Sequence, residues 1–161
     1  MDITVSEFHT KEEMYAQMAQ HITNICNETN DLYAALSNVS ALLNLYLDNV
    51  NWTGFYLCKN DALVLGPFQG KPAVAHIRIG DGVCGTAVRE RKQQRVDDVH
   101  RCCNHIACDL SSSSEIVTPI FIKDKIFGVI DIDSPIPARF DEKDETGMQL
   151  LAETIAAHLA F

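Results

Sequence analysis

Two apolar runs of strand length, Glu115 to Ile122 and Ile126 to Ile132, flank a tight polar turn, Lys123-Asp124-Lys125. So short a connection predicts an antiparallel hairpin. Trp52 to Cys58 is aromatic and β-prone, and Ala62 to Leu65 follows it across Lys59-Asn60-Asp61, which reads as a second hairpin. Val74 to Ile79 reads as a further strand ended by Gly80-Asp81-Gly82, while Arg95 to Val99 is short and ambiguous. Helical periodicity brackets these strands. Thr10-Lys11-Glu12-Glu13 has capping-box spacing ahead of Met14, Met18, Ile22 and Ile25. Asn30-Asp31 can start a second helix with Leu32, Leu36, Val39, Leu43 and Leu47 along one stripe. Val83 to Arg91 suits a short helix, and Asp141 to Asp144 caps a last one that turns Met148, Leu151, Ile155 and Leu159 inward. Helices at both ends with hairpin-linked strands between predict an α+β fold: a central antiparallel sheet with the N- and C-terminal helices packed on one face.

No repeat or linker divides the 161 residues, so residues 1–161 read as a single domain. Thirteen basic against twenty-two acidic side chains leave a net charge of −9, which disfavours nucleic acid and anionic membrane surfaces as partners. No apolar run is long enough to span a bilayer, and no basic flank followed by an apolar stretch marks a secretory signal. A cytoplasmic location is the expectation. Six cysteines in a reducing compartment point to redox chemistry, metal binding or buried thiols rather than to a disulfide framework.

Four segments can carry chemistry. In Gly80-Asp81-Gly82-Val83-Cys84-Gly85 the thiol of Cys84 sits where a helix begins. Unpaired backbone N–H groups there favour thiolate, whereas the bland alternative is a small buried cysteine at a turn. His100 to Asp109 holds Cys102, Cys103, His105 and Cys108. An imidazole near a thiol can stabilise thiolate or supply a proton. Zinc is the rival reading of that stretch, but vicinal Cys102-Cys103 is awkward for tetrahedral ligation and no familiar paired spacing occurs, so no metal is assigned. Asp131 and Asp133 alternate onto one face at the end of an apolar strand and need a cation between them or a proton on one, unless both are solvated acids at a strand end. Trp52 and Tyr56 likewise share a strand face, as core or as the wall of a ligand site.

The segments NWTGFY, GDGVCGTA, DDVH, HIACD, SSSEIVTP and GVIDIDSP, in that order and spacing, resemble the single-domain GAF proteins that reduce free methionine-R-sulfoxide. The resemblance runs from about Thr10 to the C-terminus. It implies that Cys108 is the attacking nucleophile and Cys84 a second redox-active thiol. It implies further that Glu115, Asp131 and Asp133 hold the substrate, and that Trp52 and Tyr56 wall its methyl end. No bound cofactor is implied; electrons come from thioredoxin, recharged by NADPH and thioredoxin reductase, and the protein is expected to be a homodimer. One departure matters. The family commonly carries a resolving cysteine where this chain has Val74, while Cys102 and Cys103 stand where the family usually has no thiol. The resolving residue is therefore open among Cys84, Cys102 and Cys103.

The chemistry expected is attack of the Cys108 thiolate on the sulfoxide sulfur, with a proton passed to its oxygen. Glu115, crowded by Asp131 and Asp133, is the preferred donor and His105 the weaker one. Methionine leaves, a sulfenic acid remains, a second thiol condenses with it, and an external dithiol reduces the disulfide. The alternative is a non-catalytic GAF module that senses a small molecule. Such sensors normally sit beside an output domain, and none follows within Phe161, so that reading would require a partner.

Overall fold

The structure, a computed structural model, describes residues 3–101 and 111–159. Cys102, Cys103, His105 and Cys108 lie outside them. Helix α1 covers Lys11–Glu28 and starts where Thr10 accepts a hydrogen bond from the Glu13 amide at 3.1 Å. Helix α2, Leu32–Tyr46, is capped by Asp31, which accepts from the Ala34 amide at 2.8 Å. Strands β1 (Trp52–Lys59), β2 (Ala62–Gly70) and β3 (His76–Arg78) follow, then helix α3 (Gly82–Glu90) and strand β4 (Gln94–Val96). After a 3₁₀ turn at Val99–Arg101 come β5 (Ser114–Ile122), β6 (Lys125–Ser134) and helix α4 (Glu142–His158), whose start is closed by a reciprocal capping box between Asp141 and Asp144.

The strands form one antiparallel sheet in the order β3-β2-β1-β6-β5-β4. Both expected hairpins are present, and each turns through two residues with positive φ: Asn60 and Asp61 (50° and 60°), then Lys123 and Asp124 (49° and 63°). Such turns match the right-handed twist of the strands they join. The two hairpins meet along β1 and β6, placing the middle of the sheet between residues far apart in the chain.

Strand alternation divides the core. Phe55, Leu57, Ile116, Ile120, Ile130 and Ile132 face α2 and α4, with α1 packed across both helices. Trp52, Tyr56, Val117 and Val129 face the other way, into a smaller cluster with Val83, Cys84, Ala87 and Val88 of α3. The N- and C-terminal helices thus share one face as expected, and α3 holds the other. Two strand limits differ from the sequence reading. β2 runs on to Gly70 because a bulge sets Gly66 and Pro67 against the single residue Phe55, which lets a proline stand in the strand. The strand expected over Val74 to Ile79 shrinks to His76–Arg78.

Candidate active site

The α3 face of the sheet carries an unusual row. In register, Trp52 of β1 lies opposite Asp133 of β6, and Asp133 opposite Glu115 of β5. Two residues further along β6, Asp131 lies between Gly54 and Val117. Alternation therefore gathers three carboxyl groups from two neighbouring strands on one face, and none is solvated: Glu115, Asp131 and Asp133 are 4%, 1% and 2% exposed. The surface-acid reading of the Asp131–Asp133 pair is excluded.

Helix α3 delivers Cys84 to the same place. Gly82 enters the helix at φ 62°, a conformation a side chain would strain, and a Cβ on Gly85 would come within 2.5 Å of the Arg78 carbonyl oxygen. The Gly85 amide donates to the Asp81 carbonyl at 2.9 Å, and the Gly80 amide to the Gly85 carbonyl at 2.8 Å. This tight entry sets the Cys84 thiol against the acids: ligand atoms of Cys84, Glu115 and Asp131 all lie within 4.8 Å of one another.

Electrostatics here run against one expectation. Cys84 does stand in the first turn of α3, but its thiol is pushed well above the ordinary range, first by burial, then by the charges of Asp131, Glu115 and Asp133. Burial first, and the neighbouring acids second, outweigh the helix N–H groups, so the thiol rests neutral. Glu115 is raised well above the usual carboxylate range, chiefly by burial and then by Asp133. The crowding argument is correct for Asp133 and wrong in sign for Asp131, whose hydrogen bond works to lower Glu115. Asp131 is itself raised by burial, by the charge of Glu115 and by their hydrogen bond, with its bond to Cys84 working the other way. Carboxyls this close titrate as a group, so burial and crowding raise the proton affinity of the set rather than of one residue alone.

Aromatic rings wall the row. Trp52 stacks on Tyr56 at 5.9 Å between centroids and on Phe68 at 5.1 Å, with the latter planes only 12° apart. The Trp52 indole donates to the Lys71 carbonyl at 3.1 Å and the Tyr56 hydroxyl to the Val74 carbonyl at 2.9 Å, so both fasten the segment between β2 and β3. Phe68 was missed from the sequence because the Gly66-Pro67 pair masks the continuation of β2; alternation carried past the bulge would have found it. The structure thus brings together Cys84, Glu115, Asp131, Asp133, Trp52 and Tyr56. His100 is exposed on the 3₁₀ turn.

The fold superposes on a solved GAF domain with a TM-score of 0.89 at 36% identity, over 98% of this chain and 100% of that one, and the GAF domain family matches residues 29–160. Free methionine-R-sulfoxide reductase of Escherichia coli K12 is 47% identical over 150 residues, covering 93% of this chain and 91% of the relative. The solved structure of free methionine-R-sulfoxide reductase from Neisseria meningitidis in complex with its substrate superposes with a TM-score of 0.93 at 35% identity, over 99% of this chain and 96% of that one. That of fRMsr from Staphylococcus aureus, also in complex with substrate, gives 0.86 at 48% identity over 98% and 100%. The chain belongs to the free methionine-R-sulfoxide reductase family of GAF-domain proteins.

Proposed function

We propose that the protein reduces free methionine-R-sulfoxide to methionine, and that the buried row Glu115-Asp133-Asp131 beside Cys84 is where the amino acid is held. The observation that carries this reading is the set of three carboxyls under an aromatic wall, each no more than 4% exposed. Buried acids need a proton or a cation, and the α-ammonium of a free amino acid supplies a cation through charge-assisted hydrogen bonds of about 1.5–3 kcal/mol each. Trp52, Tyr56 and Phe68 offer rings for the thioether end, where sulfur–aromatic contact is favourable. A sensor would need the ammonium and the rings; it has no use for a thiol set among the acids.

In the reaction, the thiolate of Cys108 attacks the sulfoxide sulfur while Glu115, whose hold on its proton is strengthened by burial, gives that proton to the departing oxygen. Release of methionine leaves Cys108 as a sulfenic acid. Cys84 then attacks that sulfur, and its proton passes through its hydrogen-bond partner Asp131 to the sulfenic oxygen, which departs as water as the disulfide forms. A thiol held neutral is suited to this second step, because it does not compete for the sulfoxide. Cys102 or Cys103 is the alternative resolving residue. Thioredoxin, recharged by NADPH and thioredoxin reductase, reduces the disulfide. A homodimer working in the cytoplasm completes the proposal; among the described residues no helix is long and apolar enough to cross a membrane.

The test is NADPH consumption in a thioredoxin-coupled assay with the separate epimers. Wild type consumes NADPH with the free R epimer and not the S, and Cys108→Ser does neither. Peptide mapping after a single turnover finds a Cys84–Cys108 link. Binding without turnover, or full activity in Cys108→Ser, overturns the reading, and a link from Cys102 or Cys103 to Cys108 removes Cys84 from the second step.

A further inference from the structure

The same cluster has the composition of a metal centre. One thiol and two carboxyls, from α3, β5 and β6, point their ligand atoms at a common volume no more than 4.8 Å across. Zinc bonds of about 2.0 Å to oxygen and about 2.3 Å to sulfur set tetrahedral ligand atoms roughly 3.3–3.8 Å apart, so small side-chain rotations close the set. Asp131 supplies a second and separate sign. Its Oδ1 is buried with no hydrogen-bond partner, in a residue only 1% exposed, and such an oxygen normally meets a donor or a cation. Asp133 adds a further carboxyl close enough for its charge to act on both Cys84 and Glu115. A purely carboxylate site suits magnesium or calcium; a thiol in the set selects a softer ion.

We propose that Cys84 Sγ, one Glu115 oxygen and one Asp131 oxygen form a reversible inhibitory site for a thiophilic divalent cation of zinc type. The fourth position is left to water, as in open zinc sites. This departs from the sequence reading, which assigned no metal and weighed zinc only over His100 to Cys108. On binding, the thiol and carboxyls release their protons to solvent and no electrons move. The cation and a substrate ammonium neutralise the same oxygens, so the two exclude one another. A coordinated sulfur is also withheld from disulfide formation. The effect on turnover rests on the reductase reading; the binding does not.

Cobalt(II) added to the reduced protein is the probe, because thiolate ligation gives it a near-ultraviolet charge-transfer band. One equivalent produces the band in wild type, and Cys84→Ser abolishes it although the other five cysteines remain. Asp131→Asn weakens cobalt binding at least tenfold. Zinc bleaches the band, and it inhibits the coupled assay until a chelator is added. Circular dichroism checks the fold of each variant, and should Cys84→Ser not fold, Asp131→Asn alone decides. No band at stoichiometric cobalt, an unchanged band in Cys84→Ser, or unchanged affinity in Asp131→Asn overturns the site. These spectra are read without substrate, so a protein lacking reductase activity still passes or fails.

Discussion

Glu115 does two things that pull against each other. Its carboxyl, buried beside Asp133, holds its proton more tightly than a solvated glutamate does, and in the proposed reaction that proton goes to the departing oxide. The cost falls on stability. Because the folded chain holds the proton more tightly than the unfolded one, this group's contribution is present below the ordinary glutamate pKa of about 4.3 and is lost as pH rises toward the folded value. Glu115→Gln removes the titration and keeps the shape. Melting temperatures across the pH range should show the variant gaining on wild type from about pH 4.3 upward, and a difference independent of pH contradicts the assignment. The same variant should lose roughly 10²-fold or more in kcat, the usual worth of a general acid. Among residues, the acids, Cys84 and the two aromatics on β1 were legible from the sequence because their motifs and alternation are local. The protonation state of Cys84 was not: it depends on burial beneath the sheet and then on three acids that arrive from elsewhere in the chain.

Elements were legible where a single local signal sets them. Thr10, Asp31 and Asp141 cap the helices they were expected to start, and both hairpins turn at the expected polar residues. Where an element depends on its neighbours the limits differ: β2 starts at Ala62 as expected but runs past Leu65 beyond its bulge, and β3 at the sheet edge is shorter at both ends. The contact between α1 and α4 is of the second kind. Gly147 of α4 presses against the ring of Tyr15, whose hydroxyl donates to Asp144 at 2.8 Å while Lys11 holds the same carboxylate at 2.6 Å. Nothing near Gly147 in sequence announces this; the glycine reads as a mild helix weakness. An added methyl would strike a fully buried ring that its own hydrogen bond keeps from swinging away. Gly147→Ala, which improves helix propensity, should nonetheless cost about 1–3 kcal/mol. Thermal melting checks it: a fall of several degrees is expected, and a rise would contradict the packing.

At the scale of the molecule, the sheet order does the assembling. The β1–β2 and β5–β6 hairpins each carry part of the site, and only their pairing through β1 and β6 sets Trp52, Asp133 and Glu115 in one row. Helix α3 then closes one face with Cys84 while α1, α2 and α4 bury the other. The pairing is not readable from any one segment, because the paired residues of β1 and β6 lie more than seventy positions apart in the chain. In the proposed reaction the buried anionic row separates a free amino acid from a peptide, because a substrate without an ammonium leaves those oxygens with no cation. The most direct test of that claim compares free methionine-R-sulfoxide with its N-acetyl derivative in the thioredoxin-coupled assay. Rapid turnover of the free amino acid with at least 10²-fold lower kcat/KM for the acetylated one is the expected result, since losing one charged contact is worth about 1.5–3 kcal/mol and several are lost. Equal turnover of both would mean that the three carboxyls do not hold the ammonium.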